Sequence, residues 1–189
     1  MKNYFSEKDE KLKWTEGEVK TLLKTCVCDV TSHHNTSYTG VTGDYIIMDT
    51  PDWVIVIPED KGNFLMVKQW RHGTNALNIE FPGGVIDKGE EPEVAAKREL
   101  EEETGCKAGK LIKLGAVNPN PALFKNKVHV YLAQDLIPTG KQHLDHDEFI
   151  NYLELPKEEV IDNMGTEQFQ HAIMGTALMY YLQYSRKNK

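Results

Sequence analysis

Short apolar runs separated by polar turns dominate the chain between residues 19 and 155. The runs are rich in β-branched and aromatic residues and are bounded by Asp, Pro, Gly and Asn, a pattern typical of strands. We predict strands over residues 19–30, 45–48, 53–57, 64–69, 77–81, 111–117, 127–133 and 149–155. Asp60-Lys61-Gly62-Asn63 predicts a hairpin turn between two of them. Residues 33–43 are polar and turn-rich.

Two segments follow a helical pattern instead. Pro92 fits a first helical turn, residues 93–104 contain good helix formers, and Gly105 suits the position just after a helix. Within this helix Val94 and Leu100 are spaced to face a core. Residues 167–184 carry apolar side chains near helical spacing and predict a C-terminal amphipathic helix.

Strands dominate the middle of the chain, with one helix after a Gly-Gly turn and another at the end. This order predicts an α+β fold, with helices and strands in an α/β/α layered arrangement. A length of 189 residues is enough for one domain with a sizeable core.

The first predicted helix carries an unusual density of carboxylates. Glu99 and Glu103 are four residues apart and lie on one face, with Glu102 at its edge. Arg98, four residues before Glu102, can pair with it. Carboxylates that converge with little basic compensation favour a hard divalent cation such as Mg²⁺. The alternative is an acidic helix face in contact with solvent.

The charge, the apolar runs and the cysteines of the chain indicate which kinds of binding partner and which compartment to expect. The formal net charge of −7, without clustered Lys and Arg, argues against a nucleic-acid-binding surface. The polar N-terminus predicts no signal peptide, and no apolar run approaches the length of a membrane span. The three cysteines, an odd and sparse set, predict a reducing cytoplasm.

The acidic helix and its flanks resemble the Nudix box, the signature of the Nudix hydrolases. The pattern is Gly, five residues, Glu, seven residues, then Arg-Glu-apolar-any-Glu-Glu-any-Gly-apolar. The matching positions are Gly84, Glu90, Arg98, Glu99, Leu100, Glu102, Glu103 and Gly105, with Cys106 in the last apolar slot. The resemblance implies a mixed β-sheet between helices, and Mg²⁺-dependent hydrolysis of a nucleoside diphosphate linked to another moiety. It leaves open Mn²⁺ in place of Mg²⁺.

Four further segments resemble the ADP-ribose pyrophosphatase and nucleotide-sugar branch of this family. They are Gln69-Trp70-Arg71, Glu80-Phe81-Pro82-Gly83-Gly84, Asn118-Pro119-Asn120-Pro121-Ala122 and Asp145-His146-Asp147-Glu148-Phe149-Ile150. The branch implies cleavage of ADP-ribose or a related sugar nucleotide to a nucleoside monophosphate and a sugar phosphate. Two alternatives stay open: a Nudix substrate such as a dinucleotide or NADH, and a non-catalytic nucleotide sensor.

The resemblance also implies roles for individual residues. Metal ions would be held by the Gly83 carbonyl and the carboxylates of Glu99, Glu102 and Glu103, with Glu102 also counted as catalytic. Glu90 and Arg98 would orient these ligands. Arg71, Glu80 and Pro121 would contact the substrate, since a bidentate Arg suits diphosphate oxygens. Glu148, on a loop distant from the box, would be the general base.

The N-terminal part predicts assembly. We divide the chain into an N-terminal antiparallel strand region, residues 1–43, and a Nudix domain, residues 44–189. Members of the branch are homodimers in which N-terminal strands help to form the nucleotide pocket of the partner. An exposed strand edge also favours pairing across a two-fold axis, so we expect a C2 homodimer with a base-stacking aromatic such as Trp14, Tyr38 or Trp53.

Overall fold

The computed structural model describes residues 2–188, which form two compact units. One unit comprises the chain up to Thr50 together with Asn120–Asn126. The other comprises Pro51–Pro119 and the chain from Lys127 onwards. No helix in the described residues is long and apolar enough to cross a membrane.

The first unit is built on a three-stranded antiparallel sheet. After a short 3₁₀ helix, Glu7–Leu12, come the strands β1 (Trp14–Lys24), β2 (Asp29–Ser37) and β3 (Thr42–Asp49), in the order β1-β2-β3. The prediction of one strand over residues 19–30 is wrong, because the chain turns between Thr25 and Cys28. The Thr25 hydroxyl oxygen accepts the Cys28 N–H at 3.0 Å and closes this turn. The prediction of turns from residue 33 is also wrong, since β2 continues to Ser37.

The second unit contains a six-stranded mixed sheet and three helices. The strands are β4 (Trp53–Asp60), β5 (Asn63–Arg71), β6 (Ala76–Glu80), β7 (Cys106–Val117), β8 (Val128–Pro138) and β9 (Asn151–Pro156). The order is β6-β5-β4-β8-β7, with β9 also paired to β5. Only the β4–β8 pair is parallel among these described strands. The helices are α1 (Pro92–Thr104), α2 (Lys157–Asn163) and α3 (Ala172–Lys187).

Helices cover both faces of this sheet, so the predicted α/β/α fold class is confirmed. Successive strand residues point to opposite faces, and two buried clusters result. Val54 and Val56 pack with Leu100 of α1, whereas Ile55 and Ile57 share a cluster with residues of α2 and α3. Both predicted helices are present, but α2 was not predicted.

Local signals place the ends of several elements. Lys61 and Gly62 join β4 to β5 with φ values of 45° and 92°, the left-handed conformation that a tight hairpin turn requires. The predicted hairpin is therefore confirmed. Helix α1 begins at Pro92 and ends at Thr104, and Gly105, with a φ of 66°, is the left-handed C-cap expected there. Leu100 is buried as predicted, but Val94 is 54% exposed, so its assignment to the core is wrong.

Candidate active site

The Pro82-Gly83-Gly84 turn lies directly on β4. The carbonyls of Pro82 and Gly84 accept hydrogen bonds from the N–H groups of Val56 and Val54, each at 2.9 Å. A Cβ atom at Gly83 would come within 2.2 Å of the Val54 carbonyl oxygen. Only glycine therefore allows this close approach of the turn to the strand.

The same turn contacts the carboxylates of α1. The Gly83 N–H donates to Glu103 Oε2 at 2.8 Å, and a Cβ atom at Gly84 would lie 2.5 Å from Glu99 Oε1. No described residue donates a hydrogen bond to the Gly83 carbonyl. The two glycines thus leave room for two carboxylates and for one carbonyl oxygen that has no partner in the described chain.

Arg98 binds the acidic residues together. Its Nε and Nη2 groups donate to both oxygens of Glu90, at 3.0 and 2.8 Å, and Nη2 also donates to the Val85 carbonyl at 3.0 Å. Its Nη1 group donates to Glu99 at 2.7 Å and to Glu102 at 3.1 Å. All five N–H donors of the guanidinium are used. The predicted Arg98–Glu102 pair is present, and Arg98 binds three carboxylates at once.

Glu99 and Glu103 are held in an environment that opposes their ionisation. Burial raises the pKa of Glu99 to about 7, despite the opposing effect of Arg98. Burial also raises the pKa of Glu103 to about 8, despite the hydrogen bond from Gly83, and the Glu99 and Glu148 carboxylates contribute in the same direction. Ionising both carboxyls side by side is costly, and a bound divalent cation would stabilise the two charged forms.

The donor set suits Mg²⁺, although the residues do not form a closed cage. No group of three or more His, Cys, Asp or Glu side chains in the described chain is arranged as a metal site. Glu99 and Glu102 point to Arg98, and Glu103 points to the Gly83 N–H. The oxygens nevertheless are of the hard type that Mg²⁺ prefers, and Mg²⁺ usually needs only a few carboxylates besides water and substrate.

Arg71 and Glu80 form a second charged pair on the neighbouring strands β5 and β6. Arg71 Nε and Nη2 donate to the two Glu80 oxygens at 2.9 and 2.6 Å, and the Glu80 side chain is fully buried. The guanidinium interacts electrostatically with Glu103 and Glu148. No described residue accepts a hydrogen bond from Arg71 Nη1, so this group remains available to an anionic ligand.

Glu148 lies on an exposed loop between β8 and β9. Its carboxylate accepts the Asp145 N–H at 3.2 Å, and its own N–H donates to the Asp145 carbonyl at 3.1 Å. Its charge acts on Glu99, Glu103 and Arg71. Glu148 is far from the box in sequence, but in the structure its carboxylate interacts electrostatically with box residues.

Pro121 is not part of this grouping. It belongs to the first compact unit and is exposed, so its role stays a prediction. Of the candidate base-stacking aromatics, Trp14 and Tyr38 are exposed in that unit, whereas Trp53 packs against the core of the second.

Two residues that the sequence did not single out also belong to this region. His171 interacts electrostatically with Glu80 and Arg71, and its Nδ1 accepts the Ile173 N–H at 3.3 Å. Burial lowers the pKa of His171. Gln142 donates to the carbonyl of Glu103. Both residues lie in chain segments distant from the box, so no local motif connects them with it. The one feature that the sequence could have shown is the position of His171 just before α3, as its N-cap.

The raised pKa values predict an unusual pH dependence of stability without metal. Unfolded Glu99 and Glu103 lose their protons near pH 4.5, whereas the folded carboxyls keep theirs to about pH 7 and 8. Their contribution to stability therefore falls as the pH rises over this interval. In EDTA we expect Tm to fall between pH 5.5 and 8.5, on the order of 5 °C. Mg²⁺ should raise Tm more at pH 8.5 than at pH 5.5, because it displaces fewer protons there.

Differential scanning fluorimetry at both pH values, with EDTA or with excess Mg²⁺, checks this expectation. Glu103→Gln is the matched variant, since it removes one of the two titrating groups and should flatten the pH dependence. Equal Mg²⁺ effects at both pH values would contradict the coupling of cation binding to these carboxyls.

Comparison with known proteins identifies the family of this chain. The model of the NUDIX domain matches residues 48–173. The ADP-ribose pyrophosphatase of Bacillus subtilis is 39% identical over 64% of this chain and 66% of its own length. A methanol dehydrogenase activator of Bacillus methanolicus is 32% identical over 79% of this chain and 83% of its own length.

The fold is also that of a solved relative. A crystal structure described as an ADP compounds hydrolase superposes with a TM-score of 0.83 at 27% identity, over 93% of this chain and 96% of that one. The match of the family model and these similarities confirm the resemblance first carried by the spacing of residues 84–106. The chain belongs to the NUDIX domain family, and proteins described as ADP-ribose pyrophosphatases are among its relatives.

Proposed function

We propose that this protein hydrolyses the diphosphate bond of ADP-ribose, or of a closely related nucleoside diphosphate sugar, in a reaction that requires Mg²⁺. The observation that carries the proposal is the pair of buried carboxylates, Glu99 and Glu103, beside the Gly83 turn and facing the loop of Glu148. The products would be a nucleoside monophosphate and a sugar phosphate. Mn²⁺ could replace Mg²⁺ at the same oxygens.

Glu99, Glu102, Glu103 and the Gly83 carbonyl would hold the cation. When bound, Mg²⁺ would neutralise phosphate charge and lower the pKa of a bound water. Arg98 supports this role by fixing Glu99 and Glu102, and Glu90 holds Arg98 in turn through two hydrogen bonds.

Arg71 would bind the diphosphate, with Glu80 as its support. The bidentate contact with a fully buried carboxylate fixes the plane of the guanidinium and leaves Nη1 for substrate oxygens. Breaking this pair from one side would leave Glu80 buried without a counter-charge, which is strongly destabilising. Pro121 would also contact the substrate.

Glu148 would act as the general base and remove a proton from the attacking water. Its exposed position suits access to water, and its charge already acts on Glu99 and Glu103. Glu102 lies beside Arg98 and is half-exposed, so its carboxylate is also close to solvent and would share in catalysis.

A substrate panel tests the specificity. We expect kcat/KM to be highest for ADP-ribose among ADP-ribose, GDP-mannose, UDP-glucose, NADH and a diadenosine polyphosphate. Several relatives are themselves described as ADP-ribose or ADP-sugar pyrophosphatases, which supports this order. A clear preference for NADH or the dinucleotide would move the assignment to the alternative Nudix substrates, and binding without turnover would favour a sensor.

The protein would work as a homodimer in the cytoplasm. Every residue of β1 is exposed, and the strand carries Trp14, Val19, Leu22 and Leu23. An exposed edge strand with apolar side chains favours pairing with a second copy. We propose that residues 1–43 form this interface and that Trp14 or Tyr38 stacks on the base.

Light scattering on dilute protein should give twice the chain mass. We expect Leu22→Lys, which places a charge on the exposed β1 surface, to shift the mass towards the monomer and to lower activity. Lys110→Glu, at an exposed position of β7 outside residues 1–43, is the matched control for a change of charge. Full activity at the monomer mass would contradict a shared site but would leave the hydrolase assignment intact.

A further inference from the structure

The end of α1 is capped by the loop that follows β8. The last carbonyls of a helix have no partners within the helix. Here three hydrogen-bond donors of residues 139–143 bind carbonyls at the end of α1. The Thr139 N–H donates to the Gly105 carbonyl at 2.7 Å, and the His143 N–H donates to the Glu102 carbonyl at 2.9 Å. Gln142 Nε2 donates to the Glu103 carbonyl at 2.5 Å. The segment is therefore fixed to the helix that bears the carboxylates.

Gln142 makes a second bond that closes the loop. Its Nε2 also donates to the Ile150 carbonyl at 3.3 Å. Both partners are carbonyl oxygens, which only accept, so the amide nitrogen is the atom that faces them. Ile150 is buried and directly precedes β9, so Gln142 joins the beginning and the end of the loop 143–149 to the Glu103 backbone.

Apart from Gln142 and the His143 N–H, little holds the loop in place. Of residues 143–149 only Leu144 is partly buried, and Phe149 is 84% exposed. The hydrogen bonds between Asp145 and Glu148 shape the tip but do not attach it to the helix. Exposed segments with few buried contacts open easily. The position of Glu148 relative to α1 therefore depends on the hydrogen bonds at the base of the loop.

We propose that Gln142 is a positioning residue for hydrolysis, which holds the loop of Glu148 at a fixed distance from the carboxylates of α1. The amide binds the backbone of Glu103, the residue whose side chain faces Gly83, and so joins the two halves of the site. This role rests on the proposed function, in which Glu148 activates water.

The test compares three variants. Gln142→Met keeps the length of the side chain but cannot donate, whereas Gln142→Lys restores a donor. Gln134→Met is the matched control, because Gln134 also donates Nε2 to a partly buried oxygen, that of Glu59 at 2.8 Å. We expect Gln142→Met to lower kcat roughly 10- to 100-fold, as misplacement of a reacting group does. KM should change by less than about twofold, and Gln142→Lys should recover part of kcat.

Two further measurements separate positioning from a general structural role. Amide hydrogen exchange of residues 143–149 should be faster in Gln142→Met, with exchange in β4 and β8 unchanged. In a Glu148→Gln background, Gln142→Met should cause little additional loss of kcat, because both changes act on the same group.

Wild-type kcat in Gln142→Met, or an equal loss of kcat with and without Glu148, would overturn the positioning role. Failure of the proposed base is seen separately, as wild-type kcat in the Glu148→Gln single variant. That result would overturn the positioning role as well, because Gln142 would then have no base to position.

Discussion

Glu103→Gln should lower kcat by at least about 100-fold, since the variant loses a charge that would bind the cation and the cation contributes several kcal/mol to the transition state. The fold should be retained. The raised pKa of Glu103, about 8, means that the apo protein holds this carboxyl largely protonated at neutral pH. A glutamine side chain has nearly the same shape and can still accept the Gly83 N–H through its oxygen.

Steady-state kinetics at several Mg²⁺ concentrations, with circular dichroism on the same samples, checks this result. Glu93→Gln is the matched control, because Glu93 lies on the same helix, is exposed and pairs with Lys97. Near-normal turnover of Glu103→Gln at limiting Mg²⁺ would show that the cation does not depend on this carboxylate.

Glu148→Gln should lower kcat by on the order of 100-fold or more, with substrate binding preserved, as expected for loss of a general base. The amide cannot take a proton from water at neutral pH. Its oxygen can still accept the Asp145 N–H, so the turn at the tip of the loop should persist.

Asp145→Asn and Asp147→Asn test whether the position or only the acidity of the loop matters. Both side chains are exposed, and the contacts of Asp145 to Glu148 use its backbone rather than its carboxylate. We expect both variants to retain most of their activity. A loss equal to that of Glu148→Gln in either one would move the base to that residue.

The parts of the site that lie close together in sequence were predicted well. Pro92 and Gly105 set the limits of α1 through local conformational preferences, and the helical spacing placed Glu99 and Glu103 on one face, which the structure shows to be buried. The Arg98–Glu102 pair follows from the same spacing. These features depend on a few neighbouring residues, which a single sequence displays directly.

The remaining features depend on contacts between distant segments. The buried Arg71–Glu80 pair requires the register of β5 against β6, and the cap of α1 requires a loop that begins more than 30 residues after the helix. No local pattern encodes these contacts, so Gln142 was not recognised. The helix α2 was missed for a different reason, since it is short and follows a strand directly.

Hydrolysis of the bond between the two phosphates can be tested by identifying the products. Purified protein would be incubated with ADP-ribose and Mg²⁺, and the products separated by chromatography. We predict AMP and ribose 5-phosphate in equal amounts, no free phosphate, and no reaction in EDTA. Release of ADP or adenosine, or an intact substrate in the presence of Mg²⁺ and Mn²⁺, would show that the protein does not cleave this bond.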